Sequence, residues 1–211
     1  MQCDTKTWIA GATGLVGRAL QAELPEAIAL ARRPLPGAMV VDYTRPASFG
    51  ALPAPQRVFI ALGTTMAQAG SQAAFRAADF DAVVAVARAA RERGATHCGL
   101  VSALGANARS GVFYNRVKGE AEDALIALGF ARLVIARPSL LDGHRDALDQ
   151  PRRAGEAWML RLVRPVAGLI PKPWRPIAPE RVARALRLAL DQPGPAVQVL
   201  ESGDLHSLGS P

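Results

Sequence analysis

The sequence predicts an α/β fold: a single doubly wound parallel sheet with a small C-terminal lid-like extension. Three observations carry this. Short apolar runs alternate with amphipathic stretches along most of the chain, the pattern of strands joined by crossover helices. The first run leads directly into a glycine-rich turn and a helix. The length, 211 residues without internal repeats, suits one domain over 1–211.

Taken in order, residues 6–10 read as a buried strand, and an amphipathic helix follows the glycines to residue 24. Residues 27–31 and 38–41 are the second and third strands, joined by Pro34-Leu35-Pro36-Gly37, which is too short for a helix. Residues 56–62 form a fourth strand. A long helix is expected over 71–93, with Phe75, Ala78, Ala82, Ala85 and Ala89 as a small-residue stripe facing the sheet and Gly94 ending it. A fifth strand over 96–102, a helix over 112–129 and a sixth strand over 132–137 come next. Prolines then interrupt the pattern, and Trp158, Met159, Leu160, Leu162 and Trp174 add bulky apolar surface. The segment 140–177 reads either as a substrate lid, since ligands bind at the carboxyl ends of such strands, or as an ordinary packing extension. An amphipathic helix over 179–192, a last strand over 196–201 and a frayed tail over 202–211 complete the chain.

Composition narrows the function classes. Hydrophobic residues make up 50% and charged residues 20% of the chain, as in globular domains. No apolar stretch approaches the ~18 residues that span a bilayer, so membrane insertion is not expected. No apolar signal core precedes the first strand, and Cys3 and Cys98 have neither metal-ligand nor redox spacing. The expectation is a cytoplasmic protein with reduced thiols and no metal. The formal net charge of +7 is concentrated between His144 and Arg187, where arginines outnumber Asp146, Asp149, Glu156 and Glu180. Without a recognition motif, and with aromatic residues sparse, this reads as a solvated face, and no nucleic-acid partner is expected.

Two constellations carry chemistry. Gly11-Ala12-Thr13-Gly14-Leu15-Val16-Gly17 stands between strand and helix, where glycines permit a tight turn, close backbone approach to a pyrophosphate and close helix–strand packing. An ordinary glycine turn is the bland alternative. Tyr114 and Lys118 are spaced i, i+4, which puts phenol and ammonium on one helix face. A fixed cation within ~4–6 Å favours the phenolate, so the pair suits proton transfer between hydroxyl and carbonyl. Only Lys6, Lys118 and Lys172 are lysines in this arginine-rich chain. A solvated polar pair on an exposed face is the alternative. Ser102, at the end of the fifth strand, is placed to donate to a substrate oxygen where charge develops.

With these motifs in order, the chain resembles the short-chain dehydrogenase/reductase superfamily of NAD(P)-binding Rossmann oxidoreductases, in its atypical branch, and is similar to the Tat-interacting-protein group. The similar stretches are the glycine turn, Ala61-Leu62-Gly63-Thr64-Thr65, Val101-Ser102-Ala103-Leu104-Gly105-Ala106, Tyr114-Asn115-Arg116-Val117-Lys118-Gly119-Glu120, Arg137-Pro138 and Gly155-Glu156-Ala157-Trp158. The resemblance implies an NADP(H)-dependent oxidoreductase acting on a small carbonyl or alcohol, with NADP(H) preferred over NAD(H). Gly11, Thr13, Gly14, Leu15, Val16 and Gly17 would cradle the pyrophosphate. Arg32 and Arg33 would meet the 2′-phosphate, Asp42 the adenine amine, and Leu62 and Gly63 the adenosine ribose. Tyr114 would be the proton donor, Lys118 the ribose anchor and modulator of the phenol, and Ser102 the orienter of the carbonyl. Pro138 and Ser139 would border the nicotinamide carboxamide.

The pattern departs from the family at one place. Many members carry an asparagine in the helix before the fifth strand, holding a relay water; 71–93 has none, and Asp79 and Asp81 stand there instead. The larger C-terminal substrate region of sugar-nucleotide epimerases is also not matched, which argues against those substrates. The competing reading is a dinucleotide-binding regulatory or interaction protein on the same fold, with little or no turnover.

Overall fold

The computed structural model describes residues 6–142 and 175–210. Its centre is β1 (Thr7–Ala10), a strand with all four residues buried. It feeds through the glycine turn into α1 (Leu15–Glu23), which buries Val16, Gly17, Ala19 and Leu20. Next come β2 (Ile28–Ala31), β3 (Ala38–Val40), a 3-10 turn (Pro46–Phe49) and β4 (Arg57–Ile60). Short helices α2 (Met66–Ala69) and α3 (Gln72–Arg76), a π turn (Ala77–Asp81) and α4 (Ala82–Glu92) lead to β5 (His97–Val101). The chain continues through α5 (Phe113–Ala127), β6 (Arg132–Arg137), α6 (Pro179–Asp191), β7 (Val197–Glu201) and α7 (Ser202–Leu208).

Among the described residues seven strands join one parallel sheet in the order β3-β2-β1-β4-β5-β6-β7. Helices cover both faces, as the doubly wound expectation requires. On one face Trp8, Leu30, Val58, Ile60, Leu100 and Ile135 pack under Val83 and Val86 of α4 and Leu125 of α5. On the other, Ile9, Phe59, Val134 and Leu200 meet Val16 and Leu20 of α1 and Val182 and Leu186 of α6. Each such side chain contributes about 1.5–3 kcal/mol on burial. The strand order reverses between β1 and β4, and open α/β sheets bind ligands at the carboxyl ends of the strands flanking such a reversal.

Two expectations change. The long helix over 71–93 is interrupted by the π turn, which adds a residue to one helical turn and rotates everything after it. Ala78, Ala82 and Ala85 of the expected stripe are therefore only half-buried, and the buried face of α4 is Val83, Val86, Ala87, Ala89 and Ala90. The tail expected to fray instead forms α7. The Glu201 N–H donates to Asp204 Oδ2 at 3.0 Å, the Glu201 side chain accepts in return from the first turn, and Leu205 is fully buried. The reciprocal spacing of Glu201 and Asp204 was a readable cap, masked by Gly203.

Most of the segment expected to form a lid, with Trp158, Met159, Leu160, Leu162, Trp174 and the arginines from Arg145 to Arg164, lies outside the described residues. Its described ends meet: Leu141 bridges Ile177, and the Asp142 N–H donates to the Ile177 carbonyl at 2.8 Å.

Candidate active site

The glycine turn sits at the reversal of strand order, and two of its positions admit only glycine. Gly11 has φ +88, and a Cβ on it would lie 2.4 Å from the Ala61 carbonyl oxygen at the end of β4. A Cβ on Gly17 would lie 2.0 Å from the Gly11 oxygen, so α1 packs directly on the turn. Gly14 is the N-cap of α1. No side chain caps this helix and its first turn holds no acidic residue. Its leading amides and dipole are thus presented to an anion, and the residues fit a pyrophosphate. Thr13 is exposed, and Leu15 is half-buried beside it.

Arg32 and Arg33 follow β2 and are both exposed. Asp42 follows β3. Its Oδ1 accepts from the Thr44 hydroxyl at 2.7 Å and the Thr44 N–H at 2.9 Å, and these bonds hold its carboxyl below the usual range, with Arg45 adding at 3.3 Å. Leu62 and Gly63 follow β4 on the other side of the turn.

The α5 helix carries two of the candidate side chains and a third polar one at i, i+4, i+8: Tyr114, Lys118 and Glu122. Tyr114 is half-buried, with its ring centroid 5.4 Å from that of buried Phe75. Lys118 is buried, and its ammonium lies 2.7 Å from Oδ1 of Asp79, which is itself fully buried in the π turn. Asp79 Oδ2 accepts from the Thr64 N–H at 2.8 Å. Glu122, also buried, accepts the Ser102 hydroxyl proton at Oε1 over 2.5 Å and receives Arg137 of β6 at Oε1 (3.0 Å) and Oε2 (2.5 Å). Glu122 first, and Glu201 with it, hold the Arg137 guanidinium in its charged form, against the opposing effect of burial.

The structure thus brings Tyr114, Lys118, the glycine turn, Leu62 and Gly63 to the same end of the sheet, with Arg32, Arg33 and Asp42 beyond the adjoining strands. Ser102 stands at the end of β5, but its hydroxyl is directed at Glu122. Pro138 is buried and accepts the Leu104 N–H at its carbonyl (2.9 Å). The Ser139 hydroxyl donates to the Arg175 carbonyl at 2.5 Å and accepts from Ser202 at 3.1 Å. A separate groove lined by Gln56, Arg57, His97 and Asp191 opens at the amino ends of β4 and β5, away from these groups. Sequence reasoning missed Asp79 as the partner of Lys118, missed Glu122 altogether, and named Arg137 only within a similar stretch, without a role. Glu122 was legible as the next i+4 position after Lys118. The Asp79 contact depends on a π turn that no periodicity announces.

No protein-family model matches the chain. It is 39% identical over 150 residues to protein FMP52, mitochondrial, of Eremothecium gossypii, covering 65% of this chain and 67% of that one. It is 35% identical over 179 residues to the fmp52 protein of Aspergillus fumigatus, covering 76% and 74%. The match to FMP52 of Coccidioides immitis, 42% identical, takes in 58% of this chain but only 48% of the relative. Among solved structures, UDP-N-acetylglucosamine 4-epimerase from Bacillus cereus superposes with TM-score 0.70 at 16% identity, covering 94% of this chain and 79% of that one. A short-chain dehydrogenase/reductase superfamily protein from Agrobacterium tumefaciens with bound NAD gives 0.69 at 15%, covering 92% and 77%. MoeE5 in complex with UDP-glucose and NAD gives 0.68 at 16%, covering 97% and 80%. At these identities the likeness establishes the fold alone, a doubly wound Rossmann sheet.

The cytoplasmic expectation is corrected by the relatives, which are named as mitochondrial proteins. The lack of an apolar signal core bears on secretion, whereas mitochondrial import reads amphipathic, Arg-rich segments, so that observation never excluded the mitochondrion. Among the described residues no helix is long and apolar enough to cross a membrane, and no cluster of metal-ligating side chains is found.

Proposed function

The chain belongs to the FMP52 family, and we propose that it is a mitochondrial NADP(H)-dependent oxidoreductase of the short-chain dehydrogenase/reductase type, acting on a carbonyl or alcohol. The observation that carries this reading is the placement of Tyr114 and Lys118 on one stripe of α5, at the same end of the sheet as the glycine turn. A bound nicotinamide dinucleotide would supply or accept the hydride. Gly11, Thr13, Gly14, Leu15, Val16 and Gly17 hold the pyrophosphate by backbone amides at the α1 N-terminus. Arg32 and Arg33 recognise the 2′-phosphate, where an acidic residue would instead favour NAD. Asp42, Leu62 and Gly63 take the adenosine end, and Pro138 and Ser139 border the carboxamide end. Tyr114 moves the proton to or from the substrate oxygen, with Lys118 fixed behind it as the ribose anchor. The stretch from Tyr114 to Glu120 supports a place near the Tat-interacting-protein group.

A second reading, a dinucleotide-binding regulatory protein on the same fold, is favoured by Ser102. Its proton goes to Glu122, and Ala103 and Leu104 offer no replacement hydroxyl. Tyr114→Phe separates the two. The variant should still bind NADPH, which at ~100 times its dissociation constant stabilises the fold by about 2.7 kcal/mol and so raises Tm. Its turnover in a carbonyl-compound screen followed at the reduced-nicotinamide absorbance should fall by orders of magnitude. NADPH binding without turnover by the wild type on any compound would favour the regulatory reading.

A further inference from the structure

We propose that Asp79 is a positioning residue of the dinucleotide site: from the π turn it fixes the Lys118 ammonium and ties the loop after β4 to the same carboxylate. The inference rests on the reading of Lys118 as the ribose anchor. A fully buried carboxylate is costly unless paired, and the partners of Asp79 come from two different elements, α5 and the loop after β4. Lys118 of α5 stands 2.7 Å from Oδ1, and the Thr64 N–H donates to Oδ2 at 2.8 Å. Among the described residues Oδ1 has no other partner and no aligned hydrogen bond, so this contact is an ion pair held by placement.

Gly63 closes over the pair. A Cβ there would sit 3.3 Å from Asp79 Oδ1 and 3.5 Å from Lys118 Nζ. The π turn aims Asp79 at α5, and its neighbours repeat the pattern. Phe75 packs on Tyr114, and Arg76 pairs with Glu120. The segment from α3 through the π turn therefore lies along the face of α5 that carries Tyr114 and Lys118. An ammonium has three donors. Pairing its charge with Asp79 restricts the flexible lysine stem and leaves donors for ribose hydroxyls, which is how a buried carboxylate raises affinity without touching the ligand.

The test is a double-mutant cycle on NADPH affinity, measured by titration calorimetry on wild type, Asp79→Asn, Lys118→Met and the double variant, each with its melting temperature. Asp79→Asn keeps the shape and removes the charge; it should weaken NADPH roughly tenfold, while the double variant binds like Lys118→Met alone within about twofold. Asp79→Glu keeps the charge and displaces it by one methylene. It should weaken NADPH by a similar factor; the added methylene lowers the melting temperature, but the charge pair is kept, so it serves if Asp79→Asn is unstable. Wild-type affinity in both Asp79 variants, or an Asp79→Asn loss that adds in full to that of Lys118→Met, overturns the inference. If Lys118→Met itself binds NADPH like wild type, the anchor reading fails and this inference falls with it. If Lys118→Met weakens binding and the Asp79 variants do not, only the inference fails.

Discussion

Ser102 gives its hydroxyl proton to Glu122 Oε1, 2.5 Å away and one helical turn beyond Lys118 on α5. Glu122 in turn clamps Arg137 on β6, and Arg137 reaches Glu201 on β7 at 3.0 Å. The ends of β5, β6 and β7 and the α5 helix are thus joined through one buried carboxylate. A serine hydroxyl has one proton to give, so while this bond stands Ser102 cannot also donate to a substrate oxygen.

The consequence is a weak Ser102→Ala phenotype. Glu122 keeps both contacts to Arg137, and the lost bond should cost about 1–2 kcal/mol in a urea titration. Turnover should drop less than about tenfold, against orders of magnitude for Tyr114→Phe. Equal losses in the two variants would mean that the hydroxyl turns from Glu122 to the substrate during the reaction.

Gly14→Ala should separate binding from folding. A Cβ on Gly14 would lie 3.3 Å from the Gly11 oxygen, and its φ of −80 suits alanine. Gly17→Ala, with a backbone oxygen at 2.0 Å, should instead fail to fold. Circular dichroism and NADPH calorimetry decide it. Gly14→Ala should melt near the wild type yet bind NADPH at least ~10-fold more weakly, since the methyl stands where the backbone must approach the phosphates. Unimpaired NADPH binding by Gly14→Ala would remove the cradle.

Arg32 and Arg33 are exposed beyond β2, while nearby Arg45 is drawn to Asp42. Wild type should prefer NADPH over NADH, and Arg32→Glu with Arg33→Glu should weaken NADPH at least ~10-fold while changing NADH little, because each charge-assisted bond to phosphate contributes about 1.5–3 kcal/mol. Equal affinities in the wild type would dismiss the arginines as specificity residues.

The parts legible in sequence were those with local signals. Parallel strands buried on both faces, the glycine turn at β1 and the i, i+4 spacing of Tyr114 and Lys118 are all properties of a few contiguous residues. The missed parts are pairings across the fold. Asp79 reads as one polar residue in an alanine-rich helix until the π turn aims it at Lys118. Ser102 reads as a free hydroxyl until β5 and α5 set it against Glu122. A further gap was α7, whose cap residues were visible but whose stability comes from burying Leu205 against α6 and the sheet.

Tyr43 and Cys98 together should make the fold labile in alkali. Burial pushes the Tyr43 phenol from 10.0 up to about 12, offset only in part by Arg32, and pushes the Cys98 thiol up as well. Both are acids whose folded-state values lie above their unfolded ones. Their stabilisation is therefore complete below the unfolded values, and is lost as pH rises and the unfolded chain alone releases protons. Between pH 10 and about 12 the Tyr43 share of the loss is about 2–3 kcal/mol. Tyr43→Phe costs the hydrogen bond to the Leu30 carbonyl, 3.2 Å long, or about 1 kcal/mol at neutral pH. It should nevertheless flatten the decline above pH 10, and Cys98→Ala should flatten the part that begins near pH 9. Urea titrations of the three proteins from pH 7 to 11 would show this as curves that converge with rising pH. Parallel curves would mean that neither burial contributes to alkaline unfolding.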